Sequence, residues 1–176
     1  MKRESGQAAV ESALILPLFV FLILGTLQLG LMHQARLMTK YAAYKAVRAG
    51  SLHNANMKKM ERAAVAVLLP LVSRGSNGAE TLKTINSASD FQAKWGWDGV
   101  KDNMMSDAQV PFAQVVICGP LSSELPGGAR EVDFDDPAMT ASEDWAQGQR
   151  TKLRIQVTFN YRMPIPFANM VIFNIT

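Results

Sequence analysis

Three aspartates, Asp133, Asp135 and Asp136, stand within four residues of one another, in a segment, Leu121 to Gln149, that also holds Glu124, Glu131, Glu143 and Asp144 against a single Arg130. Carboxylate oxygens are what calcium prefers, so these three are candidate calcium ligands, although the twelve-residue calcium-loop pattern is incomplete. Paired carboxylates could also serve a hydrolase, but no neighbouring motif suggests a substrate pocket. A solvated acidic loop is the favoured reading. The rest of the reactive inventory is sparse: one cysteine, Cys118, and two histidines, His33 and His53, in 176 residues. One cysteine excludes an internal disulfide, and so few nucleophiles and soft ligands argue against an enzyme or a transition-metal site. Cys118 lies in the apolar run Pro111 to Leu121, so a small buried side chain is expected there.

Glu11 is different, because its surroundings are apolar. From Ala8 to Met32 it is the sole ionisable side chain. A bilayer requires roughly 20 apolar residues in helix, so this run is read as a transmembrane segment. It accounts for a composition that is 48% hydrophobic but only 19% charged. Pro17 removes one backbone donor and is expected to kink the helix. Gly25 and Gly30 thin one side of it and would permit close helix contact. A cleaved secretory signal would need a small-x-small site after a shorter apolar core, and LQLGLMHQARL offers none. Basic residues flank the run on both sides, so charge does not orient it. The long trailing domain points to a cytoplasmic N-terminus.

Ahead of the run stands a short basic leader, MKRESG, ending at Gly6, with Glu11 five residues later. With AVESAL and Pro17 behind it, this opening resembles the type IV prepilin superfamily, and in particular the TadE-like minor pilins or pseudopilins of tight-adherence pilus systems. Ser12 departs from the aromatic residue that often follows the glutamate. The resemblance covers about the first fifty residues. It implies cleavage by a prepilin peptidase between Gly6 and Gln7, which would make Glu11 the fifth residue of the mature chain. It implies that Glu11 pairs with a mature N-terminal amine, neutralising both charges in lipid, and that the helix packs with other pilins and pseudopilins. It further implies an inner-membrane protein with its head outside the cytoplasm, able to enter an extracellular pilus. Neither cofactor nor catalysis is expected.

The remaining pattern supplies the elements that position these residues. Leu31, Ala35, Met38, Ala42, Ala46 and Ala49 recur at helical spacing, so the spanning helix is expected to continue as a stalk to Ala49, with Gly50 as its stop. Asn54 or Asn56 caps a second helix carrying Met57, Met60, Ala64, Val67, Leu68 and Leu71, which ends near Pro70. Seven basic residues between Arg36 and Arg62 face one acid, Glu61. That balance suits a solvated face or anionic lipid headgroups. Nucleic acid is not expected, because no aromatics are interleaved with these charges. RGSNG reads as a turn. Phe91, Trp95 and Trp97 read as a packing cluster. Val115 to Ile117 form a short strand, and Thr151 to Arg162 alternates apolar Leu153, Ile155, Val157, Phe159 and Tyr161 with polar residues, as in a half-buried antiparallel strand. Additional short strands are expected between Ala79 and Val110 or in the acidic loop.

The expected fold is α+β: a long N-terminal transmembrane helix continuing as a stalk, a second helix, and a small antiparallel sheet in the head. The organisation is 1–6 leader, 7–50 membrane and stalk helix, 51–176 extracytoplasmic head. Two other readings remain open: a signal-anchored binding or adhesion domain that never polymerises, and a tethered hydrolase built on the acidic loop.

Overall fold

The computed structural model describes residues 4–75, 81–121 and 152–165. The segment holding Asp133, Asp135 and Asp136 lies outside them, so the calcium and hydrolase readings both fall there. The first element, α1, is a single helix over Glu4–Leu52. Forty-nine residues of helix extend about 70 Å. The chain is α+β, with short antiparallel sheets following the helices.

Two compact units divide the chain, and α1 contributes to both. One comprises Met1–Leu37, Pro70–Ile85 and Tyr161–Thr176. Among its described residues a small antiparallel pair joins β1 (Ser73–Arg74) to β2 (Thr81–Leu82). Arg74, expected within the turn at RGSNG, instead pairs with Thr81, and residues 76–78 of that turn lie outside the described residues. Arg162 donates from Nη1 to the Gly75 carbonyl at 3.1 Å, tying the chain after β4 (Arg154–Phe159) to the residue that follows β1.

The other unit comprises Met38–Leu69 and Asn86–Asn160. Its second helix, α2 (Met57–Leu68), starts where Asn56 accepts from the Lys59 N–H at 3.2 Å. Met60, Ala64, Val65 and Leu68 form its buried side, and a 3-10 turn, Leu69–Leu71, follows where Pro70 ends regular helix. A third helix, α3 (Ala88–Trp95), occupies a stretch whose hydrophobic pattern is weak. Its cap is strong instead: Ser87 Oγ accepts from the Asp90 N–H and donates to the Asp90 carboxylate at 2.7 Å. Phe91 and Trp95 stack at 5.9 Å between centroids. The aliphatic stem of Lys94 is fully buried, and its ammonium lies 5.4 Å from the centre of the Trp97 ring. The aromatic cluster is therefore a packing feature, as expected.

β3 (Ala113–Gly119) and β4 (Arg154–Phe159) pair antiparallel with Val115 opposite Val157, and α2 packs on β3. Ile155, Val157 and Phe159 are half-buried while Arg154, Gln156 and Thr158 are exposed, so the alternation of β4 survives folding. Cys118 corrects the expectation of a buried thiol. Val115 points inward on β3, so Val116 and Cys118 occupy the outer positions of the period-two strand, and Cys118 is exposed. Ahead of β3, the Asn103 side chain hydrogen-bonds both backbone groups of Ala113. The loop reaches that position through Gly99, whose φ is +81°. A Cβ there would run into the Met104 carbonyl.

Gly50 is the second correction. It does not end α1, which continues to Leu52 before Asn54 and Ala55 turn the chain with φ of 51° and 54°. Gly50 is buried because Met60 and Leu153 close on it: an added Cβ would lie 2.5 Å from Met60 Sδ and 2.6 Å from Leu153 Cδ2. Close approach, not helix termination, requires glycine there.

Candidate membrane and processing site

α1 changes character along its length. From Ala8 to Ile23 every residue is exposed, including Leu14, Leu18 and Phe19. From Gln28 onward one face is buried: Gln28, Ala35, Ala42, Ala46 and Gly50 recur at helical spacing. The exposed half is apolar on all sides. In water that surface would be costly, at roughly 25 cal/mol per Å² of apolar area. In a bilayer it is matched to its solvent, and the helix satisfies its own backbone. This helix is long and apolar enough to cross a membrane.

The N-terminal residues singled out by sequence all sit at the start of this half. Gly6 and Glu11 are exposed. The Gly6–Gln7 bond falls in the first turn of α1, where backbone N–H groups lack intrahelical acceptors. Gln7 and Glu11 are four residues apart, hence one turn apart on one face. The Cα–Cβ bond of Glu11, like every such bond in a helix, tilts toward the helix N-terminus. Pro17 lies inside the helix, which continues unbroken through it.

Glycines along α1 separate into two groups. Gly50 is demanded by its own neighbours. Gly6, Gly25 and Gly30 have nothing within 4 Å of an added Cβ. Glycine in a helix costs roughly 1 kcal/mol relative to alanine. Among the described residues no contact offsets that cost at these three positions.

Past the apolar run, Arg36, Lys40 and Arg48 are exposed, and Lys45 lies 5.3 Å from the Tyr41 ring centre. Tyr41 and Tyr44 are exposed and stacked at 6.4 Å. Among the described residues no group of three or more His, Cys, Asp or Glu side chains could hold a metal.

Gln28 is a residue that the local sequence pattern does not single out. It is completely buried, and its Oε1 accepts the Ile165 N–H at 3.3 Å. Among the described residues its Nε2 is buried without a hydrogen-bond partner. A lone amide in an otherwise apolar helical stretch was the available signal.

Residues 6–48 match the family model described as TadE-like protein. The N-terminal segment is TadE-like. The match begins at Gly6 itself and ends two residues before Gly50, so it covers the exposed apolar half of α1 and most of the half with a buried face. No curated relative and no solved structure matches the chain.

Proposed function

We propose that this chain is a minor pilin or pseudopilin of a tight-adherence pilus system, a structural subunit and not an enzyme. A prepilin peptidase cuts between Gly6 and Gln7, and the helix from Gln7 onward packs with other pilins. The head stands outside the cytoplasm, beyond the inner membrane. The observation that carries this reading is the conjunction at the N-terminus: the TadE-like match opens at Gly6, a glycine no internal contact explains, and Glu11 lies one helical turn beyond the bond to be cut.

The chemistry follows from the geometry. A peptidase that reads an extended chain has only the first turn of α1 to unwind. Cleavage leaves an ammonium at Gln7 and the Glu11 carboxylate on the same face. A single charge at the bilayer centre costs about 2.5–3.5 kcal/mol, whereas two opposite charges that neutralise each other avoid much of that cost. The amine that Glu11 meets is its own or that of a neighbouring subunit. Gly25 and Gly30, open on the helix surface, suit close approach of a second helix. Arg36 and Lys40 suit anionic headgroups, at about 1 kcal/mol per residue.

N-terminal sequencing of the membrane-extracted protein tests the reading. A chain beginning at Gln7 is expected, and one beginning at Met1 would leave only an anchored, non-polymerising domain. Gly6→Leu should trap the uncut precursor. Glu11→Ala should be cut normally but fail in assembly; normal piliation by that variant would remove the assigned role of Glu11.

A further inference from the structure

We propose that the outward face of α1 beyond the membrane, formed by Tyr41, Tyr44, Arg48 and Leu52, is the docking face for an acidic helix of a different protein chain. These four residues recur at three- and four-residue spacing, so they form one ridge along the helix. Tyr44, Arg48 and Leu52 each follow a buried position, Ala42, Ala46 and Gly50, by two residues, which puts them on the opposite side of α1 from its packed face. Tyr41 is 48% exposed, Tyr44 58% and Leu52 70%. Lipid does not cover them. The apolar run ends at Met32, and Tyr41 and Tyr44 stand nine and twelve residues further on, or about 13 and 18 Å along the helix. The headgroup layer adds only about 5–8 Å on each side of the hydrocarbon core. Both rings therefore stand in water, where a contiguous apolar patch marks a binding surface.

The composition is that of an interface centre, where tyrosine and arginine carry most of the binding energy. The rings are already arranged for it. Tyr41 and Tyr44 stack at 6.4 Å, and the Lys45 ammonium lies 5.3 Å from the Tyr41 ring centre. Side chains ordered in advance lose less freedom on docking. Charge then selects the partner. From Ser12 to Leu52 the helix carries Arg36, Lys40, Lys45 and Arg48 and no acid. A helix packed along this ridge meets Lys45 and Arg48, so it must bring carboxylates to them. A second copy in register brings the same two cations instead, and like charges set against each other disfavour that pairing. The acids of its own α1, Glu4 and Glu11, lie at the opposite end of the helix. The partner is thus a helix of another protein, with carboxylates at three- or four-residue spacing and apolar positions between them that receive the rings. The inference rests on the reading of α1 as a spanning helix with a stalk outside the bilayer, and not on cleavage after Gly6 or on Glu11.

The test uses the full chain in the membranes of the cells that make it. The photoreactive residue p-benzoylphenylalanine replaces Tyr44 and, separately, Phe21 as a control within the span. After irradiation the adducts are identified by mass spectrometry. At position 44 the expected adduct is a peptide of another protein, net negative and with carboxylates three or four residues apart. At position 21 acyl-chain adducts are expected. Lys45→Glu with Arg48→Glu should lower the yield at 44 by about tenfold or more and leave position 21 unchanged. Arg48→Lys, which keeps the charge, should retain the adduct at 44. A lipid adduct at 44, a peptide from a second copy, or a partner peptide without acidic residues overturns the inference. So does the absence of any adduct at 44 while 21 labels lipid, or a yield at 44 that the double charge reversal does not change. Absence of acyl-chain adducts at 21 overturns the spanning assignment and the inference with it.

Discussion

The two halves of α1 are one continuous helix in two solvents. Between Ala8 and Ile23 large apolar side chains point in every direction and none is buried. Between Ala35 and Gly50 the buried positions are small, Ala35, Ala42, Ala46 and Gly50, while the outward face carries Arg36, Lys40, Tyr41, Tyr44 and Arg48. Large residues in the first half maximise contact with lipid. Small residues in the second let packed neighbours reach the helix backbone, as Met60 and Leu153 do at Gly50. The same backbone geometry thus serves opposite tasks, and the side-chain sizes on the two halves show which task is local.

A buried carboxylate separates the halves most sharply. Ala46 is fully buried, so Ala46→Asp should destabilise the unit containing α2 and the β3–β4 sheet by roughly 3–5 kcal/mol, without changing membrane insertion. Leu18→Asp should do the opposite: insertion weakens by roughly 2.5–3.5 kcal/mol and the melting of that unit is unchanged. Denaturation in detergent and a membrane-insertion assay on both variants check the pair. If Leu18→Asp lowered the stability of the folded unit, the first half would not be facing lipid.

Glycine gives a smaller version of the same contrast. Gly50→Ala must displace Met60 and Leu153, at a cost of roughly 1–3 kcal/mol from overpacking. Gly25→Ala meets nothing, and should stabilise the isolated chain by up to about 1 kcal/mol through helix propensity. Thermal melts of the two variants in detergent should therefore shift in opposite directions. Asn56→Ala, which removes the cap of α2, should cost about 1 kcal/mol; an unchanged melting temperature would mean that the Lys59 N–H finds another acceptor.

The parts of this arrangement that were legible in the sequence are those with one strong period or one strong cap. The apolar run announces itself because lipid imposes no alternation. The Ala35–Ala42–Ala46 stripe, the cap at Asn56 and the alternation around Val157 follow local rules and are found where those rules place them. The α3 helix was harder because its apolar face is two aromatics and the stem of Lys94, a residue counted as polar. Only Ser87 and Asp90 signalled it. Cys118 was misjudged because burial in β3 depends on register, and a run of Val115, Val116 and Ile117 hides which neighbour faces in. Gly50 looks like a helix stop in one dimension and proves to be a contact in three. Gln28 and Ile165 are 137 residues apart, beyond any local pattern.

The smallest effect concerns Tyr161, two residues past the end of β4. Tyr161 is partly buried, and desolvation raises its phenol pKa above the ordinary value of 10.0. The neutral phenol is therefore favoured in the folded chain relative to the unfolded one. Below pH 10 both states carry the proton and stability does not depend on this group. As the pH rises past 10 the unfolded chain loses the proton first, so folding weakens progressively until the folded-state pKa is passed. Tyr161→Phe should flatten this alkaline decline, measured as unfolding midpoints between about pH 9 and 11. The fully exposed apolar half of α1 supplies the reference, since it contains no phenol and its insertion should be indifferent to the same change of pH. A decline equally steep in Tyr161→Phe would show that it does not arise from the Tyr161 phenol.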